Sequence, residues 1–176
     1  MCRWMAYSGD PILVEELLFR PAHSIIDQSL QARLGEYTTN GDGFGIGWYG
    51  DSTTPAVYKS THPAWNDRDL HEIAGQIRTP LLFAHIRASS GTPVQRSNCH
   101  PFRYGRWLWM HNGSLAGFQK MKRDLMLAVD PSLFADTVQL MYSGRIEVCS
   151  ITLYVDSTGG TVWLKRMTNP LLLWSR

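Results

Sequence analysis

The sequence predicts an α+β domain in which sheets and helices lie in layers. Two observations carry this. Short runs with an apolar period of two alternate along the chain with stretches whose apolar residues recur at helical spacing. The length of 176 residues, 44% hydrophobic and 18% charged, suits one domain with a real core.

The elements follow in order. Asp10-Pro11 before Ile12, Leu13, Leu17 and Leu18 reads as an N-capped helix with proline at its first position, ended by Arg20-Pro21. Ser24 caps a second short helix carrying Ile25, Ile26 and Leu30, stopped near Gly35. The glycine-rich run Asn40-Gly41-Asp42-Gly43-Phe44-Gly45-Ile46-Gly47 holds two turn signals and leads into a strand, with Val57-Tyr58 as its partner. Asn66 or Asp67 starts an amphipathic helix through Leu70, Ile73, Ala74 and Ile77, closed before Pro80.

Residues 81–87 compose a buried strand, with Phe83, His85 and Arg87 on one face and Leu82, Ala84 and Ile86 on the other. A polar loop runs from Ala88 to Phe102. Trp107–Asn112 is another strand, placing Trp107, Trp109 and His111 opposite Leu108, Met110 and Asn112. A helix is expected over residues 118–129 before Pro131, and a hairpin over residues 151–155 and 161–164.

Composition narrows the function classes. Lys+Arg 17 against Asp+Glu 15 gives a net charge of +2, which argues against a nucleic-acid partner. The apolar runs are too short to span a membrane, and Met1-Cys2-Arg3-Trp4-Met5 lacks the apolar region of a secretory signal. Cys2, Cys99 and Cys149 are too few for a disulfide scaffold, so a reducing, cytoplasmic setting is expected.

A cysteine beside the initiator methionine is the first chemical feature. Loss of Met1 leaves Cys2 with a free α-amine of reference pKa about 7.7–8.0 and a thiol of about 8.5. One residue then holds both nucleophile and base. The plainer reading is an inert core cysteine. Asn112-Gly113 can present a side-chain amide and a backbone N–H to an oxyanion, or can simply turn the chain. Arg87 at the end of an apolar strand suits a substrate carboxylate, or a structural ion pair. Cys99, His100, His85 and His111 fit no common zinc spacing, and His85 and His111 read as hydrogen-bonded core histidines. The run 41–47 enters a strand and lacks a Gly-Lys-Ser/Thr ending, so it is no nucleotide loop; its glycines allow close packing beside the N-terminus.

Taken in order, Cys2, then Asn40-Gly41-Asp42-Gly43-Phe44-Gly45, His85-Ile86-Arg87 with Gly91, Asn98-Cys99-His100-Pro101-Phe102, and His111-Asn112-Gly113 resemble the class II glutamine amidotransferase domain. That domain belongs to the N-terminal nucleophile hydrolases, and the nearest likeness is the small stand-alone YafJ-like branch. The resemblance implies a four-layer αββα sandwich, here incomplete at the C-terminal end. It implies that Cys2 attacks the γ-carboxamide of glutamine and forms a thioester, releasing ammonia and then glutamate. Asn112 and the Gly113 N–H would form the oxyanion hole. Arg87 would hold the α-carboxylate, with Ser89 and His100 near the substrate. No metal or organic cofactor is implied.

The likeness covers residues 2–135, the catalytic part; residues 136–176 read as a divergent, truncated or frame-shifted segment. Asp136 is the candidate for the acidic residue that takes the substrate's α-amino group. An ammonia-accepting protein partner belongs with the glutamine reading. The alternatives are hydrolysis of another γ-glutamyl amide and a non-catalytic remnant that binds a partner.

Overall fold

A computed structural model describes residues 2–31, 39–89, 93–112, 117–131, 150–155 and 163–167. Strand β1 (Arg3–Leu13) is followed by helices α1 (Val14–Leu18) and α2 (Ile25–Leu30). Strands β2 (Phe44–Trp48) and β3 (Ala56–Ser60), helix α3 (Arg68–Ala74) and strand β4 (Arg78–Ile86) come next. Strands β5 (Phe102–Tyr104) and β6 (Trp107–Asn112), helix α4 (Phe118–Leu127), and strands β7 (Ser150–Val155) and β8 (Trp163–Met167) follow, and two short 3-10 turns lie at Ala64–Asn66 and Arg96–Asn98. They form two antiparallel four-stranded sheets, ordered β1-β4-β2-β3 and β5-β6-β7-β8.

The alternation in β4 separates two cores. Leu82, Ala84 and Ile86 pack with Val14, Leu18, Ile25, Ile26, Leu70 and Ala74, joining the first sheet to α1, α2 and α3. Phe83 on the opposite face packs with Tyr49, Leu81, Leu108 and Met110, which joins the first sheet to β6 of the second. Burial of each such large side chain contributes about 1.5–3 kcal/mol. A polar link reinforces the joint: the Tyr49 hydroxyl donates to Arg106 O at 2.7 Å and accepts from Leu108 N at 3.2 Å.

Local capping signals explain the starts of α2 and α3. Ser24 Oγ accepts from Asp27 N at 3.0 Å and caps α2, as expected. Asp67 caps α3 through Leu70 N at 2.8 Å, and its same oxygen accepts from the Tyr58 hydroxyl at 2.9 Å, tying β3 to the helix. α3 ends at Ala74, before Ile77, with Gly75 as its C-cap. The stop expected near Gly35 lies outside the described residues, and α2 ends at Leu30.

The helix expected from Asp10-Pro11 is corrected. Residues 10–13 belong to β1, where Ile12 pairs with Thr79 and Leu13 with Arg78; α1 starts at Val14 without a side-chain cap. Cross-strand pairing outweighs the local capping signal. The ladder breaks between Ser8 and Ile12, and Pro80 stands in the matching stretch of β4, where its missing N–H costs little.

Two glycines bring the sheets close. Gly43 has φ +100°, and a Cβ there would lie 2.7 Å from Cys99 Sγ. A Cβ on Gly45 would collide with the backbone carbonyl of His100. The close packing expected of the 41–47 run is therefore made against the Cys99-His100 segment; β1 lies two strands from β2, across β4.

Candidate active site

Cys2 enters the site through the register of β1. Arg3 pairs with Ile86, so the residue before Arg3 comes level with the chain leaving β4. There the Ala88 N–H donates to Cys2 Sγ at 3.3 Å, and the thiol can donate to Ala88 O at 3.4 Å. Burial pushes the Cys2 thiol above its usual range, while the Ala88 hydrogen bond and the Arg87 charge pull it back.

Arg87 continues β4 and is buried at 6% exposure. Its backbone N–H donates to Gly43 O at 2.8 Å, and its carbonyl accepts from Asp42 N at 3.2 Å. The guanidinium Nη1 donates to Asp42 O at 3.3 Å and Nη2 to Ser89 Oγ at 3.0 Å. The Ser89 N–H in turn donates to Asp42 Oδ2 at 2.6 Å. Cys2, Arg87 and Ser89 are thus brought together, with Asp42 as a fourth member that motif reading passed over. Its signal was present: a single carboxylate inside a glycine-rich turn.

Asn112 stands half-buried at the end of β6, paired with Ile151 of β7. Gly113 and Asp136 lie outside the described residues, as does Cys149. Cys99 is fully buried and free, its Sγ 3.4 Å from Ser60 O.

His100 is buried, and its Nε2 lies 3.1 Å from His111 Nδ1. The His85 and His100 ring centroids are 4.5 Å apart, and those of His100 and His111 4.6 Å. His111 is hydrogen-bonded, as expected of a core histidine. His85 is buried too, and among the described residues its ring has only an imperfect hydrogen-bond contact, with the His111 backbone.

Burial drives His85 down to about 3, with His111 and Arg87 adding to it, and drives His111 down to about 4. His100 is held well below its usual range by burial and then by His85 and His111. All three rings are neutral at neutral pH. An imidazolium acid is therefore not at hand in this cluster at neutral pH. Among the described residues no group of three or more His, Cys, Asp or Glu side chains is arranged to hold a metal ion. No described helix is long and apolar enough to cross a membrane.

A half-buried thiol at the head of β1 thus stands beside the buried Arg87, on one of two antiparallel four-stranded sheets joined by a shared core. Residues 19–131 match the family model of class-II glutamine amidotransferases, and the chain belongs to that family. It is 36% identical over 166 residues to "Probable glutamine amidotransferase DUG3" of Saccharomyces cerevisiae, covering 89% of this chain and 45% of the yeast protein. It is 32% identical over 115 residues to a gamma-glutamyl-hercynylcysteine sulfoxide hydrolase of Mycobacterium tuberculosis, covering 64% of this chain and 49% of that protein. The chain spans about half the length of these curated relatives. A solved glutamine aminotransferase class-II domain protein from Silicibacter pomeroyi shares the fold, with a TM-score of 0.63 at 21% identity over 94% of this chain and 76% of that one.

Proposed function

We propose that this chain hydrolyses the γ-amide of glutamine, with Cys2 as nucleophile after removal of Met1. The observation that carries the reading is the Cys2 thiol held at 3.3 Å by the Ala88 N–H, one residue beyond the buried guanidinium of Arg87. Arg87 and Ser89 take the α-carboxylate of the glutamyl group, and Asp136 takes its α-ammonium. These anchors set the γ-carboxamide carbon beside Sγ.

The Cys2 α-amine accepts the thiol proton as sulfur bonds to that carbon. The Asn112 amide and the Gly113 N–H stabilise the oxyanion of the tetrahedral intermediate. The C–N bond then breaks, and the proton held on the α-amine passes to the departing nitrogen to give ammonia. Water adds to the thioester, the amine again moving the proton, and glutamate leaves with the thiol restored. The neutral His85, His100 and His111 cluster supports this assignment, because it leaves the α-amine as the base with a suitable pKa. Residues 2–135 carry the nucleophile, base and oxyanion hole, with Asp136 directly after them, in a reducing cytoplasm that keeps the thiol free. Ammonia either leaves to solvent or passes to an accepting protein.

A second reading, hydrolysis of a larger γ-glutamyl amide, is favoured by the mycobacterial relative named for such a substrate. Arg87 addresses only the glutamyl end in both readings. Glutamine and γ-glutamyl dipeptides assayed side by side for glutamate release decide between them; kcat/KM for glutamine at least tenfold higher supports the first, and the reverse order the second. Intact mass spectrometry checks the base. Loss of Met1 is expected, and its retention in active protein would overturn the α-amine mechanism.

A further inference from the structure

Asp42 has no part in the reaction scheme, yet its bonds reach the groups that do. Its Oδ2 accepts from Ser89 N at 2.6 Å across 47 residues of chain. Its backbone carbonyl accepts from Arg87 Nη1 at 3.3 Å, and its N–H donates to Arg87 O at 3.2 Å. Ser89 Oγ closes the ring by accepting from Arg87 Nη2 at 3.0 Å. Between Arg87 and Ser89 stands Ala88, whose N–H meets the Cys2 thiol at 3.3 Å. Three of these contacts involve an ionised group, the Asp42 carboxylate in one and the Arg87 guanidinium in two, which strengthens them relative to neutral ones.

We infer that Asp42 is a positioning residue: its carboxylate fixes the Arg87-Ala88-Ser89 segment, and so sets both the Ala88 N–H against the Cys2 thiol and the guanidinium that receives the glutamyl carboxylate. The role in turnover rests on the proposed hydrolysis; the effect on the thiol does not. Neighbouring β2 enforces the geometry, since Gly43 directly after Asp42 holds φ +100° and accepts the Arg87 N–H at 2.8 Å.

The direction of the thiol's response separates positioning from plain electrostatics. The charges acting on Cys2 include Arg87 and the chain's amino terminus, both favouring thiolate. Removing a negative charge nearby would, by Coulomb's law alone, make the thiolate easier to form. Loss of positioning does the opposite, because the Ala88 N–H no longer supports the sulfur.

The test follows the rate of iodoacetamide alkylation at Cys2, located by peptide mass, against pH in the wild type, Asp42→Ala and Asp42→Asn. Asp42→Ala is expected to move the midpoint upward and to raise the KM for glutamine about tenfold. Asp42→Asn, which keeps an acceptor oxygen in place, is expected to recover most of both. An unchanged or lowered midpoint in Asp42→Ala overturns the inference. Should Asp42→Ala not fold, Asp42→Ser, whose shorter side chain does not reach the Ser89 N–H, takes its place: several-fold faster hydrogen exchange at the Ser89 amide than in the wild type supports the inference, and equal exchange overturns it. A raised midpoint in protein that turns over neither glutamine nor a γ-glutamyl amide supports Asp42 positioning and counts against the proposed hydrolysis.

Discussion

Ala88 meets the thiol of Cys2 with both of its backbone polar groups, the N–H at 3.3 Å and the carbonyl at 3.4 Å from Sγ. One residue of the β4 exit thus serves as donor to the thiolate and acceptor for the thiol. The sulfur keeps its place whether or not it carries the proton. That suits the proposed nucleophile, which loses and regains a proton in each cycle. The cost is burial, which opposes ionisation. A base next to the sulfur and the Arg87 charge are the available compensations.

Arg87→Lys should raise the KM for glutamine by about ten- to a hundredfold with a smaller change in kcat. A point charge lacks the fork that bonds Asp42 O and Ser89 Oγ while also receiving a carboxylate. Steady-state kinetics with glutamine check this, and an unchanged KM would remove Arg87 from the substrate site.

If the Asn112 amide stabilises the oxyanion as proposed, Asn112→Ala should lower kcat by about a hundredfold to a thousandfold and leave KM within a few-fold. Equal losses in a binding measurement with a glutamine analogue would instead assign Asn112 to ground-state binding.

The histidine cluster predicts acid sensitivity. His85 and His111 fall from 6.5 to about 3 and about 4 in the folded chain, so below pH 6.5 the unfolded chain binds more protons. Stability is full above that pH and declines as pH falls, by about 2 kcal/mol for each of the two at pH 5. Thermal melting at pH 7.5 and pH 5 should show a clear drop in Tm for the wild type and a smaller drop for His85→Gln. Parallel drops would show that other groups set the acid limit.

Gly45→Ala should destabilise the fold by about 1–3 kcal/mol or more, because its Cβ meets the backbone carbonyl of His100, which cannot swing aside. Gly50→Ala is the control: a Cβ there meets nothing within 4 Å. Its denaturation midpoint should stay near that of the wild type. Equal effects would mean that the sheets can separate at Gly45 at little cost.

The strands were the most legible part of the chain. The two faces of β4 divide its side chains between the two cores as the period of two required, and Trp107–Asn112 forms a strand with the expected bounds. The hairpin expected over residues 151–155 and 161–164 appears as β7 and β8, paired from Ser150↔Met167 to Tyr154↔Trp163. Asp10-Pro11 misled because capping residues report local preference, whereas Ile12 and Leu13 are held by Thr79 and Arg78 more than sixty residues away.

In the site, Cys2, Arg87 and Ser89 could be named from chain order, but their meeting depends on the β1–β4 register. Asp42 was missed for the complementary reason. Its carboxylate acts on a backbone N–H, and any residue but proline supplies one, so no motif marks the partner. His85 shows a further limit: an apolar strand forecasts burial, but not whether the ring will find a hydrogen bond.

The central claim is that Cys2 is the nucleophile. It is tested most directly by glutamate and ammonia release from glutamine, comparing wild type, Cys2→Ala and Cys99→Ala at equal folded concentration. A loss of at least about a thousandfold in Cys2→Ala is predicted, with most activity kept in Cys99→Ala. Equal rates for wild type and Cys2→Ala would contradict the account.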